Sequence, residues 1–405
     1  MVPAASNRSL SEPWELGGIV VPNRVLLAPL AGIGNWFVRL QAKRYGAGMA
    51  VSEMVSSHAI HYGNRRTLTE LLRIDPRERV GGPVSIQLFG QDPDVMRSAA
   101  ATVARAGADV IDLNMGCPVP KVCRTGAGAA LLDDQDRAVA LARAARLGGG
   151  LPVTVKLRSG ARAGDRSGIE LAHRLVAEAG VSAIAIHPRA VACRHSGTPD
   201  YELARQLVER LPVPVILTGG LREAARVREL FELTGAAAVM LARGALGNPW
   251  LFSQLVPGRT NAIEGVVGSG EGGEETGVCS FGAANGRAYA RARAHAEHAR
   301  DEPQAPGAVH PGDGEPTTGE VATELEWVLD RAAEHLGEER ANRYLRKFYP
   351  WYLARLGLTR QPGASLQAAL QGARSLGEAR ELVGRIDPDR RPPASGAPRR
   401  VEMAA

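Results

Sequence analysis

The sequence is short of several things. No apolar run in it approaches the roughly 18 residues that a membrane-crossing helix needs, and Met1–Pro13 lacks the basic-then-apolar order of a secretory leader. A cytoplasmic protein without membrane contact is the expectation. Four cysteines in 405 residues, Cys117, Cys123, Cys193 and Cys279, with no Cys-x-x-Cys pair, argue against a disulfide framework and against a zinc site. His58 with His61 and Cys193 with His195 have partial metal-ligand spacing, but no carboxylate pattern completes either, so no metal is expected. Any cysteine that matters should act as a thiol. Lysine is scarce too: only Lys43, Lys121, Lys156 and Lys347 stand among 49 basic residues. A lysine at a strand end in so arginine-rich a chain marks a place where a compact point charge serves and a guanidinium does not.

The remainder of the composition is ordinary for a globular protein, 44% hydrophobic and 23% charged, with aromatics low at 4%. Single cores stop growing near 250 to 300 residues, roughly, so the length implies a large domain with a smaller partner. The formal charge of +6 permits an acidic partner such as nucleic acid without requiring one.

From Arg24 to about Gly247, short apolar runs alternate with stretches of helical periodicity. The runs are Val25–Pro29, Met49–Glu53, Val84–Phe89, Val110–Asn114, Val153–Leu157, Ala183–His187, Val215–Thr218 and Ala238–Leu241. Between them, Asp92–Ala106, Asp133–Leu147, Gly168–Ala179, Tyr201–Arg210 and Arg222–Glu232 carry apolar residues at three-to-four spacing. Eight strands, each followed by a helix, fit a closed α/β (β/α)8 TIM barrel over residues 14–256, and a doubly wound open sheet less well. Residues 257–319, rich in Gly and Glu, offer too little apolar surface to fold and read as a low-complexity insertion. Val321, Leu325, Val328, Leu329, Ala332 and Leu336 then mark one helix face and open a small helical domain over 320–385, before a loose tail at 386–405.

Active sites of such barrels are built where the strands run out. At the end of the fourth strand, Asp112-Leu113-Asn114-Met115-Gly116-Cys117-Pro118 places a thiol on a tight turn. A cysteine with an ordinary pKa near ~8.5 is mostly protonated at neutral pH, which suits a proton donor. The plainer alternative is a buried, inert cysteine. Lys156 ends the fifth strand with Arg158 two residues on, on the same side, and its charge could stabilise an anionic reduced flavin; the plain alternative is a solvated lysine. Thr218, Gly219 and Gly220 after the seventh strand, and Ala242 and Arg243 after the eighth, occupy the loops that bind phosphate in such barrels. Gln87 ends the third strand with an amide that could read an imide edge, and His187 ends the sixth.

With these segments in place, the chain resembles the tRNA-dihydrouridine synthases of the bacterial type, which have an FMN barrel and a helical tRNA-binding domain. The likeness is carried by Ala28-Pro29-Leu30-Ala31-Gly32, Gln87-Leu88-Phe89-Gly90, Asn114-Met115-Gly116-Cys117-Pro118 with Lys121, Lys156-Leu157-Arg158, His187-Pro188-Arg189 and Arg243-Gly244, and by the basic and aromatic 346–352 stretch. Leu30 stands where the family usually has Met. The resemblance implies FMN contacts from Pro29, Leu30, Ala31, Gln87, Lys156, His187, Thr218, Gly219, Gly220, Ala242 and Arg243. It implies NADPH as the transient electron donor and Cys117 as the general acid. Asn114, Lys121, Arg158 and Arg189 would position the target uridine, and a C-terminal helix bearing Arg346 and Lys347 would grip tRNA. A monomer is expected. Two other readings stay open: an FMN barrel oxidoreductase acting on a free pyrimidine or other small molecule, and an RNA-binding protein on a retired barrel.

Overall fold

A computed structural model describes residues 8–258, 315–356 and 362–389. The expected 257–319 insertion and 386–405 tail lie largely outside the described residues, as does Cys279. The described residues fall into two compact units, one covering 8–243 and 255–258, the other 244–254, 315–356 and 362–389.

The first unit is a closed barrel of eight parallel strands: β3 (Val25–Leu27), β4 (Met49–Ser56), β5 (Val84–Phe89), β6 (Val110–Met115), β7 (Val153–Arg158), β8 (Ala183–His187), β9 (Val215–Thr218) and β10 (Ala238–Leu241). These are the eight runs read from the sequence, with small shifts at the ends. β3 stops before Pro29, which has no N–H to give to a ladder. β4 runs on to Ser56 through an irregularity between Val51 and Met54, a bulge of the kind that re-aims side chains at a barrel rim.

Local chemistry places the helices between strands. Asp92 accepts from the Asp94 and Val95 N–H groups ahead of α3 (Pro93–Arg105), with Pro93 in the first turn, and Asp134 and Asp200 cap α5 (Gln135–Gly149) and α7 (Tyr201–Arg210). Asn35 caps α1 (Trp36–Arg44) in the same way.

One element has no counterpart in the sequence reading. Trp14–Leu16 (β1) and Ile19–Val21 (β2) form an antiparallel hairpin. Its Trp14, Leu16 and Val21 join one buried cluster with Leu26, Met49, Val51, Val110, Ala183, Ile216, Ala238 and Met240 from the strands. A Cβ on Gly17, at φ +56°, would lie 2.8 Å from Pro152 Cβ, and Pro152 immediately precedes β7. The hairpin therefore closes the end of the barrel where the strands begin. Three-residue strands are too short to show periodicity, which is why the sequence alone did not reveal them.

The second unit is helical: α10 (Thr318–Leu336), α11 (Glu338–Leu345), α12 (Tyr349–Arg355), α13 (Pro362–Gly372) and α14 (Leu376–Gly384). Val321, Leu325, Val328, Leu329 and Ala332 are buried as the periodicity implied. The expected boundaries shift in two places. The helical region begins at Thr318 rather than 320, because Thr317 and Glu320 form a reciprocal capping box. Residues 244–254 belong with these helices rather than with the barrel: Gly247, at φ +59°, lies so close to Trp351 that a Cβ would come within 2.7 Å of its backbone.

Candidate active site

Alternate residues of a strand face the same side; on three strands the inward series turns from apolar to polar towards the C-terminal end, and on β7 it is polar throughout. Val110 is followed by Asp112 and Asn114, Thr154 by Lys156 and Arg158, Ala183 and Ala185 by His187, and Ile216 by Thr218. Strand register aligns these series into rows. Gln87 pairs with Asp112 and Asp112 with Thr154; one row nearer the mouth, Asn114 pairs with Lys156, and beyond it Arg158 pairs with His187.

The first row is a hydrogen-bonded chain. The Thr154 hydroxyl donates to Asp112 Oδ1 at 2.5 Å, and Gln87 Nε2 donates to Asp112 Oδ2 at 2.6 Å. Asn114 Nδ2 donates to Gln87 Oε1 at 3.0 Å, while Asn114 Oδ1 accepts from the Gly116 and Cys117 N–H groups at 3.2 and 2.9 Å. The Ser52 hydroxyl, wholly buried, accepts from the Gln87 backbone N–H. Burial pushes the Asp112 carboxyl up to about 6, against the hydrogen bonds from Thr154 and Gln87 and the charge of Lys156. It is ionised at neutral pH all the same.

Cys117 thus sits on a turn held from below by Asn114. From the side, Ala129 N–H and the Cys123 thiol both reach the Cys117 carbonyl, at 3.1 and 3.2 Å. Cys117, Cys123 and Cys193 are free thiols. Burial raises the Cys117 pKa, with the Arg158 and Lys156 charges acting in the other direction, so the group is a protonated thiol at neutral pH.

Lys156 is mostly buried, and among the described residues it has no hydrogen bond or ion pair. Burial lowers its pKa to about 8, with the neighbouring Arg158 charge adding to the effect. His187, 7% exposed, is held neutral far below its usual value, first by burial and then by the Lys156 and Arg158 charges, and among the described residues its Nε2 has no partner. Its ring lies against Gly219: a Cβ there, at φ +100°, would come within 2.5 Å of His187 Nε2. At Gly220, φ +79°, a Cβ would stand 2.2 Å from the Tyr201 hydroxyl, which itself donates to the Gly219 carbonyl at 3.2 Å. Both glycines of the expected phosphate loop are therefore required by backbone conformation and by packing.

Arg158 is 3% exposed and donates to three carbonyls: Gly116 at 3.2 Å, Ala190 at 3.2 Å and Arg194 at 2.7 Å. It ties the Cys117 turn to the loop after β8. Arg189 donates to the Gly197 carbonyl, and its buried Nε has no partner among the described residues. Leu30 is buried, its carbonyl accepting from Gly34 N–H at 2.7 Å, while Ala31 is exposed and Pro29 lies between. Thr218 is buried, Ala242 partly so, and Arg243 and Lys121 are exposed. All of these stand at the ends of strands or in the segments that follow them, Lys121 in the short helix Pro120–Cys123 and Arg243 at the start of a 3-10 turn.

In the helical unit, Arg346 and Lys347 are exposed, but they do not lie on a helix as expected. They occupy the turn between α11 and α12. Pro350 cannot donate a backbone hydrogen bond and is tolerated only in the first turn of a new helix, which splits the stretch in two. Lys347 Nζ lies 3.8 Å from the centre of the Tyr344 ring, and Tyr349 is buried.

Asp112, Thr154, Ser52 and Met54, whose sulfur receives Asn114 Nδ2 at 3.5 Å, join the site without having been singled out. For the first two the sign was legible: a polar residue inside an apolar strand, two positions before one already suspected. The bulge that brings in Ser52 and Met54 has no such sign.

The chain matches the family described as dihydrouridine synthase over residues 26–264. The tRNA-dihydrouridine synthase B of Pseudomonas aeruginosa is 35% identical over 240 residues, 59% of this chain and 71% of that protein. The protein of the same name from Pasteurella multocida is 35% identical over 237 residues, 58% of this chain and 70% of its own. Among solved structures, morphinone reductase is similar at a TM-score of 0.46 and 17% identity, covering 62% of this chain and 90% of that one. This chain belongs to the dihydrouridine synthase family.

Proposed function

We propose that the chain is a flavin-dependent enzyme that reduces the C5–C6 double bond of uracil in tRNA, with FMN as resident cofactor and NADPH as electron donor. The observation that carries this reading is the protonated Cys117 thiol, pinned on a turn at the barrel mouth among Asn114, Lys156 and Arg158.

The residues present fit a flavin. Among the described residues His187 Nε2 is buried without a partner beside a glycine loop, the Lys156 ammonium makes no hydrogen bond, and the Gln87 amide keeps one N–H and one oxygen lone pair after its two internal bonds. An imide edge needs that donor and acceptor pair. Lys156 and His187 would face the ring system, with Pro29, Leu30 and Ala31 beside it, and Thr218, Gly219, Gly220, Ala242 and Arg243 would hold the phosphate. When bound, FMN supplies the hydride for C6 of the uracil and is recharged by NADPH.

The chain's own groups do the rest. Cys117 Sγ–H gives its proton to C5. A thiol whose pKa is raised by burial holds that proton until a strongly basic carbon develops beside it. Lys156 and Arg158 then favour the thiolate left behind, as their charges already do in the resting site. Arg158, by tying Gly116 to the loop after β8, keeps the donor from drifting, and Arg189, Asn114 and Lys121 line the approach of the nucleotide. The target base must leave its stack to present a face to this pocket, which loops of RNA allow at low cost. Arg346 and Lys347 would contact tRNA phosphates, and Tyr349, being buried, packs the helical unit and stacks on no base.

Purified protein incubated with unmodified tRNA, FMN and NADPH should convert uridine to dihydrouridine, read by mass spectrometry of nucleosides. A protein that binds FMN but acts only on free pyrimidine would point to the small-molecule alternative. One that binds RNA without flavin would point to the retired barrel.

A further inference from the structure

The buried chain Thr154–Asp112–Gln87–Asn114 has a direction. At one end are two backbone N–H groups, those of Gly116 and Cys117, which can only donate, so the Asn114 oxygen must face them. That leaves the Asn114 amide nitrogen facing Gln87, which must answer with its oxygen. At the other end is Asp112, ionised and therefore an acceptor only, which receives Gln87 Nε2 and the Thr154 hydroxyl. Gln87 is fully buried and Asp112 is 1% exposed, so water does not relax either constraint. A glutamine amide has two orientations related by a half-turn, close in shape and opposite in polarity. Here both ends of the chain select the same one.

We propose that Asp112 is a positioning residue: it sets the Gln87 amide in the single orientation that presents a donor and an acceptor to a flavin edge, and joins that orientation to the Cys117 turn. The inference rests on the flavin reading above. Its physical content is that the cofactor edge and the proton donor are registered to each other through three side chains, Asp112, Gln87 and Asn114, on adjacent strands. A carboxylate in the middle of an apolar strand is otherwise unfavourable, since burial disfavours its charge. Thr154 satisfies its second oxygen and Lys156, one row nearer the mouth, gives it a counter-charge.

The test is a double-mutant cycle on FMN affinity, measured on apoprotein by quenching of flavin fluorescence, with the visible spectrum of bound flavin recorded alongside. Asp112→Leu keeps the branched shape and removes the acceptor. FMN affinity should fall about tenfold, the size of one well-placed hydrogen bond, and the flavin band should shift. In a Gln87→Ala background the same change should cost less than twofold, because the residue through which Asp112 acts is gone. Asp112→Asn should restore affinity to within about threefold of wild type, since its oxygen can still receive Gln87 while the Thr154 hydroxyl turns to accept from its nitrogen. If Asp112→Leu does not fold, Asp112→Leu with Thr154→Val replaces both polar partners by isosteres and serves in the same cycle. A full tenfold loss persisting in the Gln87→Ala background, or an Asp112→Leu protein with wild-type affinity and spectrum, would overturn the inference. Wild-type protein that does not bind FMN at all would overturn the flavin reading itself.

Discussion

Two halves of one barrel are made by the same strands and could hardly differ more. Towards the N-terminal ends, Val110, Ala183, Ile216 and Met240 close on the β1–β2 hairpin in a dry, apolar plug. Two residues along those strands, about 7 Å by strand geometry, stand Asp112 on β6, Thr218 on β9 and the paired loops, and two residues past Ala185 stands His187. In the lower half the groups satisfy one another by contact alone. In the upper half several do not: among the described residues His187 Nε2 and the Lys156 ammonium have no hydrogen-bond partner, and Asp112 carries a charge that burial disfavours. The difference teaches where stability and function are held. The plug stabilises the fold, and the mouth draws on that stability to keep polar groups poised for a ligand.

The division can be broken or sharpened by substitution. The largest expected effect is at Cys117. Cys117→Ala should lower turnover on tRNA by about 10²- to 10⁴-fold, the usual worth of a general acid, while flavin binding and thermal stability stay near wild type. A variant that turns over normally removes the acid assignment.

Next comes the plug. Ile216→Ala, two residues below Thr218 on β9, should destabilise the protein by about 2–5 kcal/mol in denaturant titration. Affinity for FMN in the surviving folded fraction should change little. If flavin affinity fell in proportion to stability, the two halves would not be separable.

The smallest expected effect is the most diagnostic. Asp112 is raised to about 6 in the native protein from an ordinary value of 3.8. Between those values the folded protein takes up a proton that the unfolded chain does not, so the stabilisation is complete below pH 3.8 and is lost as pH rises through 6. Over this window it amounts to at most about 3 kcal/mol. Asp112→Asn carries no such titration. It should be more stable than wild type at pH 8, by up to that amount, and the gap should close towards pH 4. A gap independent of pH would mean that the carboxylate is not held at a cost.

Much of the upper half could be read from residues alone, because the barrel obliges each strand to end at one rim. Cys117, Lys156, His187 and the Thr218–Gly220 loop are all residues at strand ends, and locating the strands located them. Asn114 and Arg158 show the limit of that reading. Both could be placed at the rim, but not that Asn114 spends its amide on Gln87 and the Cys117 turn, or that Arg158 spends its guanidinium on three carbonyls. Apart from the Cys117 turn itself, two and three residues on from Asn114, those partners come from loops 30 or more residues away in sequence or from neighbouring strands, and no local pattern specifies them.

What the sequence by itself determined was the alternation of eight apolar runs with helical stretches, and with it the barrel and the position of its mouth, because hydrophobic periodicity is a local property. Only the tertiary structure decided the strand register, and register is what sets Gln87, Asp112 and Thr154 in one row. It also decided that the N-terminal hairpin plugs the lower end. Each depends on which surfaces meet after folding, a matter of packing between segments far apart in the chain.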